Sequence, residues 1–360
     1  MMKILTIIGA RPQIIKAAAV SRVIGRSPGA DEIILHTGQH FDGNMSAHFF
    51  EEMGIPEPKY NLGLGGLSHG AMTGRMIEGI EKIVEFEKPD YILVYGDTNS
   101  TLAGALVAAK CHIKLAHVEA GLRSGNSLMP EEINRIVTDR LSNLLFCPTD
   151  VSINNLLLEG YELFKGKKIF SVGDVMLDNA IHYSNLAVMP KALIDIEPGS
   201  FILTTIHRAE TTDNEENLKN VITALNILQQ EIDVIMPIHP RTKNKIEEYG
   251  LSINFHIIDP VGYLEMIWLL KNSERVVTDS GGVQKEAYFF KKRCVIVRTE
   301  TEWVELVSSG WNVLAGYDSD IIINESRKIS RNLKYVPLYG DGNAAETIIG
   351  EMQKYAHLDT

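Results

Sequence analysis

Cysteine is scarce in this chain. Cys111, Cys147 and Cys294 are the only three in 360 residues. An odd, widely spaced set without metal-ligand spacing excludes a disulfide framework and a cysteine zinc module, and it points to a reduced, cytoplasmic setting with each thiol as plain core. Positive charge is also short: Lys and Arg total 35 against 46 Asp and Glu, for a formal net charge of -11. General nucleic-acid and anionic-membrane binders need a cationic footprint to collect phosphates, so no nucleic acid and no membrane is expected as a partner. A nucleotide can still be held by local donors. No apolar run approaches the roughly 20 residues that span a bilayer, and the apolar start is too short for a signal peptide, with Arg11 following at once. The first strand–turn–helix lacks both the Gly-x-Gly-x-x-Gly of a dinucleotide site and the Gly-Lys-Ser/Thr of a P-loop, which withdraws support from NAD and ATP. The remaining 45% hydrophobic and 22% charged composition is that of a soluble globular chain long enough for two cores.

What is present is strand followed by helix, repeated along the chain, which predicts an α/β fold with doubly wound parallel sheets. A strand at residues 3–8 leads through Gly9-Ala10-Arg11-Pro12 into a helix from Gln13, so Arg11 and Lys16 put two cations near a helix amino terminus, where an anion is favoured. A strand at 33–37 opens into Gly38-Gln39-His40-Phe41-Asp42, richer in hydrogen-bonding groups than a turn requires. Residues 62–70 read as a mobile glycine-rich loop before a helix at 71–87. Tyr91–Tyr95 delivers Asp97 ahead of a helix at 101–110, where Asp97 either caps that helix or meets a ligand. Lys114–Val118 ends on Glu119, and a Gly/Ser/Asn/Pro-rich connection reaches a helix opening Pro130-Glu131-Glu132. Residues just past the carboxyl end of a strand face the ligand crevice of an open sheet. Glu119 therefore asks for a role in acid/base work on a sugar, in hydroxyl binding, or in a salt bridge to Arg123 or Arg135. Glu132 is accounted for as an acid at a helix start.

Strands at Leu144–Cys147 and 169–172 close the first half, and residues 173–179 with the Pro/Gly-containing 190–200 mark a boundary. The expected division is 1–175, 176–340, and a terminal segment 341–360 whose helix packs back across the domains. In the second half, a strand at 201–206 ends in His207-Arg208 and Asp233–Pro237 leads to His239. The run RVVTDSGGVQKE at 275–286 reads as a strand, Ser280-Gly281-Gly282, and a helix. Glycines let the backbone approach closely and the helix dipole favours an anion, which makes a phosphate cradle. Glu286, one turn on, is placed for a ribose diol.

These motifs come in an order that resembles a known family. GARPQIIKAAAV, HTGQHFD, YGDTNSTLAGALVAAK, HVEAGLRSGN with PEEINRIVTD, IHRAET, IHPRTK and TDSGGVQKEA together resemble the non-hydrolysing UDP-N-acetylglucosamine 2-epimerases across the whole chain. The resemblance implies two Rossmann-like domains of the GT-B type with the UDP-sugar in the cleft between them and a homodimer. It also implies interconversion of UDP-N-acetylglucosamine and UDP-N-acetylmannosamine with no cofactor, neither NAD nor a catalytic metal. Position by position, it implies that Arg11 and Lys16 are substrate-cleft cations and that Asp97, Glu119 and Glu131 are the essential carboxylates. Arg135 and His207 become cleft residues, His207 near the pyrophosphate and counted with the catalytic set. Ser280, Gly281 and Gly282 become phosphate contacts, Glu286 the ribose contact, and Met266 the place where the backbone receives uracil. Gln39 and His40, with the glycine-rich loop, are candidates for a regulatory second substrate molecule. Two departures stand out. Many members read Thr-Glu-Arg-Pro-Glu where this chain reads Thr301-Glu302-Trp303-Val304-Glu305, so an arginine contact is missing or comes from elsewhere, such as Arg298. Bacterial members also carry, near residues 65–67, an arginine that helps hold an activating substrate molecule, and this chain does not.

The C2 proton of an intact N-acetylhexosamine is not acidic, and oxidising a neighbouring hydroxyl would need the NAD whose fingerprint is missing. Loss of UDP from the anomeric carbon instead builds positive charge beside C2 and lets a carboxylate or histidine take the proton, giving a 2-acetamidoglucal that UDP re-attacks. Three other readings share the nucleotide cradle: a 2-epimerase of a related sugar such as UDP-diacetamidoglucuronate, a GT-B glycosyltransferase, and a UDP-sugar sensor without turnover. Three acids near the sugar speak against the sensor.

Overall fold

The computed structural model describes residues 1–39, 50–193, 196–328 and 333–356. The chain forms two compact units, Met1–Asn179 with Pro337–Thr360, and Ala180–Val336.

Unit 1 is built on seven strands: β1 (Met2–Ile8), β2 (Ala30–His36), β3 (Tyr60–Asn61), β4 (Tyr91–Tyr95), β5 (Lys114–Val118), β6 (Leu144–Cys147) and β7 (Lys168–Ser171). Their order is β3-β2-β1-β4-β5-β6-β7 and every pairing is parallel. Every residue of β4 is buried, as expected where helices cover both faces of a parallel sheet. The order reverses between β1 and β4, the place where such sheets bind ligands. The first helix, Arg11–Ile24, begins two residues earlier than its sequence suggests. Pro12 is tolerated in the first turn, and the Gln13 side chain reaches back to accept from the Gly9 and Ala10 N–H groups at 2.9 and 3.2 Å. The helix after β4 also starts early, at Asn99, and its cap is Thr98, whose hydroxyl accepts from Thr101 N. Asp97 is therefore not a helix cap.

The returning segment joins unit 1 through Gly173 and Gly340, both left-handed and in backbone contact; a Cβ at Gly173 would stand 2.7 Å from Tyr339 O. The helix Ala344–Tyr355 packs on Arg11–Ile24, and the buried Asp178 carboxylate accepts from Ala344 N and Ala345 N at 3.2 and 2.8 Å. Burial pushes Asp178 up to about 6, against the pull of those two N–H groups.

Unit 2 repeats the plan with six parallel strands: β8 (Phe201–Thr205), β9 (Asp233–Pro237), β10 (His256–Ile258), β11 (Arg275–Thr278), β12 (Arg293–Ile296) and β13 (Asn312–Leu314), in the order β10-β9-β8-β11-β12-β13. Leu218, Val221, Ile222 and Leu225 from the helix Glu215–Leu228 fill one face, while Leu269, Leu270 and Ala287 fill the other. The reversal lies between β8 and β11, where Thr205 and Thr278 share a hydrogen bond at 2.6 Å. Cys147 and Cys294 are core residues and Cys111, half-buried, ends the helix Asn99–Lys110. Among the described residues no helix is long and apolar enough to cross a membrane.

Candidate active site

In unit 1 the carboxyl ends of β1, β2, β4 and β5 converge. Gly9 is required there: a Cβ would stand 2.1 Å from Thr37 Oγ1 and 2.2 Å from Ser100 Oγ. Those hydroxyls share a hydrogen bond, and Gln39 Oε1 accepts from Ser100 N and Oγ at 3.1 and 2.9 Å. Gln39 thus belongs to the helix start behind Asp97; His40 lies outside the described residues. Gln13 Nε2 donates to Tyr95 O and to Thr101 Oγ1, tying the β1 exit to the β4 exit.

Glu119 follows β5 directly and is 7% exposed. It sits in the left-handed region at φ 72°, because its own N–H and that of Ala120 both turn to donate to Phe146 O. A non-glycine residue in that region carries local strain, which concentrates at functional positions. Its carboxylate accepts from Lys16 Nζ at 2.5 Å. Of the three roles weighed for Glu119, the salt bridge to Arg123 or Arg135 is not made: Arg123 pairs with Asp139 and Glu159, and Arg135 with Asp97 and Glu132. Gly96 makes room for the pair: a Cβ there would lie 3.2 Å from Lys16 Nζ and 3.6 Å from Glu119 Oε1.

Asp97 binds Arg135, with Nη2 and Nε at 2.8 and 3.1 Å from Oδ2. Arg135 Nη1 also donates to Glu132 at 2.5 Å, and Glu132 accepts from Ser124 N and Gly125 N. Burial alone would raise the Glu132 carboxyl, but the two backbone donors and Arg135 outweigh it and hold it below the ordinary range. Glu132 is therefore a buried structural anion rather than an ordinary acid at a helix start. Glu131, its neighbour, is exposed, and so is Arg11 at the first position of its helix. The structure thus gathers Lys16, Asp97, Glu119 and Arg135 and leaves Arg11 and Glu131 on the surface. Sequence reasoning missed Gln13, His117, Glu132, Asp139 and Asn134, whose Nδ2 donates to Asp97 O at 2.9 Å. A signal was available in the helix Pro130–Leu141, where the buried residues are polar while Ile133 and Ile136 face outward. Such an inverted face marks a helix whose inner side serves a site.

In unit 2, Asp279 follows β11 fully buried and accepts from His207 N and Arg208 N, fixing the β8 exit. The His207 ring is half-exposed, 5.8 Å from the His239 ring and 3.7 Å from Asp279. Desolvation lowers its pKa, with His239 and Arg208 acting in the same direction and Asp279 against. Ser280 is the N-cap of the helix Gly281–Phe289, and its side chain does not cap that helix. Nothing lies within 4 Å of a Cβ at Gly282, whereas a Cβ at Gly281 would meet Glu302 Oε1 at 2.2 Å. Glu286 is 6% exposed, not a surface glutamate, and Tyr263 OH donates to it at 3.3 Å. Met266 lies half-buried in the helix Tyr263–Asn272, its N–H already donating to Gly262 O. Arg298 is engaged by Glu302 at 3.1 Å, and Trp303 is a buried indole with Lys285 Nζ 4.1 Å from its centroid. Trp303, where the resemblance implies an arginine, thus forms a cation–π pair with Lys285.

The two units have different chemistry. Unit 1 presents two carboxylate–cation pairs at strand ends, suited to hydroxyl recognition and proton transfer. Unit 2 presents helix N–H groups beside an open glycine, Arg208 and His207 for an anion, and a buried carboxylate for a diol.

The family model for UDP-N-acetylglucosamine 2-epimerase matches residues 22–353. The chain is 54% identical over 356 residues, 98% of this chain and 100% of the relative, to the UDP-2,3-diacetamido-2,3-dideoxy-D-glucuronate 2-epimerase of Pseudomonas aeruginosa. The crystal structure of Methanocaldococcus jannaschii UDP-GlcNAc 2-epimerase in complex with UDP-GlcNAc and UDP superposes with a TM-score of 0.87 at 41% identity, covering 98% of this chain and 100% of that one. That of the Neisseria meningitidis enzyme bound to UDP-GlcNAc gives 0.88 at 30% identity, with the same coverage. A match of this extent, on a fold whose strand ends carry these carboxylates and this glycine cradle, means that the chain belongs to the UDP-N-acetylglucosamine 2-epimerase family and is a UDP-sugar 2-epimerase.

Proposed function

We propose that the protein interconverts the C2 epimers of a UDP-activated 2-acetamido sugar by eliminating and re-adding UDP. Residues of unit 2 hold the nucleotide: the Ser280-Gly281-Gly282 helix start and His207 the diphosphate, Glu286 the ribose, the Met266 region the uracil. Asp97 and Glu119, with Lys16 and Arg135, serve the sugar, and the exposed Glu131 and Arg11 are added to them on the resemblance alone. The anomeric C1–O bond breaks with its electron pair leaving on UDP, the C2 proton passes to a base, and a 2-acetamidoglucal forms. Protonation at C2 from the opposite face and attack of the UDP oxygen at C1 complete the exchange. The observation that carries this reading is the pairing of Lys16 with Glu119 and of Arg135 with Asp97 at adjacent strand ends, which keeps two ionisable acids together where nucleotide binding alone needs none.

Two substrates fit the reading. UDP-N-acetylglucosamine, giving UDP-N-acetylmannosamine, follows from the motifs and from the ligands of the neighbouring structures. UDP-2,3-diacetamido-2,3-dideoxy-D-glucuronate is favoured by the 54% identity to an epimerase of that name, and we take it as the preferred substrate. Incubating each UDP-sugar in deuterium oxide, with oxygen-18 in the anomeric bridge, tests both points. Deuterium at C2 together with scrambling of the label into the non-bridging oxygens is expected, faster for the diacetamido-uronate. Deuterium without scrambling would sink the elimination route, and binding of both sugars without exchange would leave a sensor.

A further inference from the structure

His117 sits in β5 two residues before Glu119 and is fully buried. Its ring joins two loops. Nε2 lies 2.8 Å from Gly96 O, which can only accept, so Nε2 carries a proton. Nδ1 lies 2.7 Å from Asp139 Oδ1. Asp139, itself fully buried, also accepts from Gly121 N at 3.1 Å and from Arg123 Nη1 at 2.8 Å, and Arg123 continues to Glu159 at 2.6 and 2.9 Å. Burial would raise the Asp139 carboxyl, but the His117 and Arg123 donors hold it below the ordinary range, so it stays an ionised acceptor. Both ring nitrogens of His117 are therefore held, Nε2 by Gly96 O and Nδ1 by Asp139 Oδ1.

The relay ends at two pivots. Gly96, left-handed at φ 61°, donates its own N–H to Val118 O while its carbonyl accepts from His117 Nε2. The peptide that launches Asp97 is thus fixed at both ends. Gly121, left-handed at φ 80°, is pinned through its N–H to Asp139 just after Glu119. One carboxylate thereby sets the exit of β4, which carries Asp97, and the exit of β5, which carries Glu119. Packing alone does not call for three donors converging on a buried aspartate, because a buried charge is costly unless every donor is well placed.

We propose that His117 and Asp139 are positioning residues that set the separation and direction of the Asp97 and Glu119 carboxylates without touching substrate. This rests on the reading that Asp97 and Glu119 work on a UDP-sugar.

Two measurements decide it. Nitrogen NMR of histidine-labelled full-length protein, with the His117 signals assigned by their loss in His117→Gln, should show a proton on Nε2, the nitrogen that faces Gly96 O. A bare Nε2 would overturn the link to the β4 exit. Steady-state kinetics of His117→Gln and Asp139→Asn should show kcat reduced about 10- to 100-fold with KM and UDP affinity within about twofold, the signature of misplaced acids rather than lost binding. The double variant should be no slower than the slower single one, because both act through one relay. Wild-type kcat in either variant, or losses that multiply in the double variant, would remove the positioning role. Should one variant fail to bind UDP because it does not fold, the kinetics of the remaining variant still decide. Absence of C2 exchange by the wild-type protein with every UDP-sugar would instead bring down the proposed reaction and the positioning role built on it, while the spectrum separately decides the pairing.

Discussion

Lys16 Nζ and Glu119 Oε1, 103 residues apart in sequence, meet at 2.5 Å where β1 and β5 both deliver their chains. Neither is far exposed, and each is the other's salt-bridge partner. Glu119→Gln keeps an oxygen for Lys16 and should fold normally, with turnover reduced roughly 10²- to 10⁴-fold if Glu119 transfers a proton. UDP affinity measured by calorimetry should stay as in the wild type. Full activity in this variant would remove Glu119 from the chemistry.

Lys16→Met removes the Nζ donor from the buried Glu119 carboxylate. Breaking a buried pair from one side costs about 3–5 kcal/mol, so urea unfolding should register a loss of that order. The doubly changed Lys16→Met, Glu119→Gln protein should recover part of it. A Lys16→Met protein as stable as the wild type would mean that solvent already screens the pair.

The two glycines of the unit 2 cradle should respond differently. At Gly282 a methyl meets nothing in the ligand-free protein, so Gly282→Ala should keep its stability and lose UDP affinity. At Gly281 a methyl runs into Glu302, so Gly281→Ala should lose stability even without nucleotide. Glu286→Ala should weaken UDP by about 1.5–3 kcal/mol, the usual worth of a hydrogen bond to a charged group. Calorimetry and thermal melts on the three proteins check the pattern, and equal UDP affinity across them would displace the nucleotide from this helix.

Asp178 carries a pH signature. Its folded value of about 6 lies above the roughly 3.9 of an unfolded aspartate, so the folded state holds this proton more tightly. The contribution to stability is full below the unfolded value and is lost as pH rises from about 4 to about 6, after which it is flat. Chemical denaturation of wild type and Asp178→Asn across that window should diverge in slope, by on the order of 1–3 kcal/mol in total. Parallel curves would show that the carboxyl ionises there as freely as in water.

The strands and the strand-end motifs were legible because an interior parallel strand reads as an apolar run and a crevice needs glycine and acid just beyond it. Tyr91–Tyr95 and Lys114–Val118 have the ends expected. The partners were not legible. Nothing local says that Glu119 takes a lysine from the first helix rather than Arg123, four residues on, because that choice is made by sheet order. Nor does adjacency tell Glu131 from Glu132: successive helical residues point about 100° apart, and which one turns inward depends on the tilt of the whole helix. Thr98 displaced Asp97 as a cap because the helix begins at Asn99, a shift of two residues that propensity does not resolve.

The division of the chain also orders its synthesis. Unit 2 is one continuous stretch, Ala180–Val336, whereas unit 1 is completed only by the residues after Pro337. On the ribosome, the portion made first must wait through the translation of the whole intervening unit before the helix Ala344–Tyr355 emerges to cover Arg11–Ile24 and to engage Asp178. At about 5–20 residues per second that wait lasts on the order of ten to thirty seconds. During it the later-made unit can finish folding while the earlier one still shows its uncovered apolar side, which makes the nascent chain, rather than the finished protein, the form most in need of a chaperone.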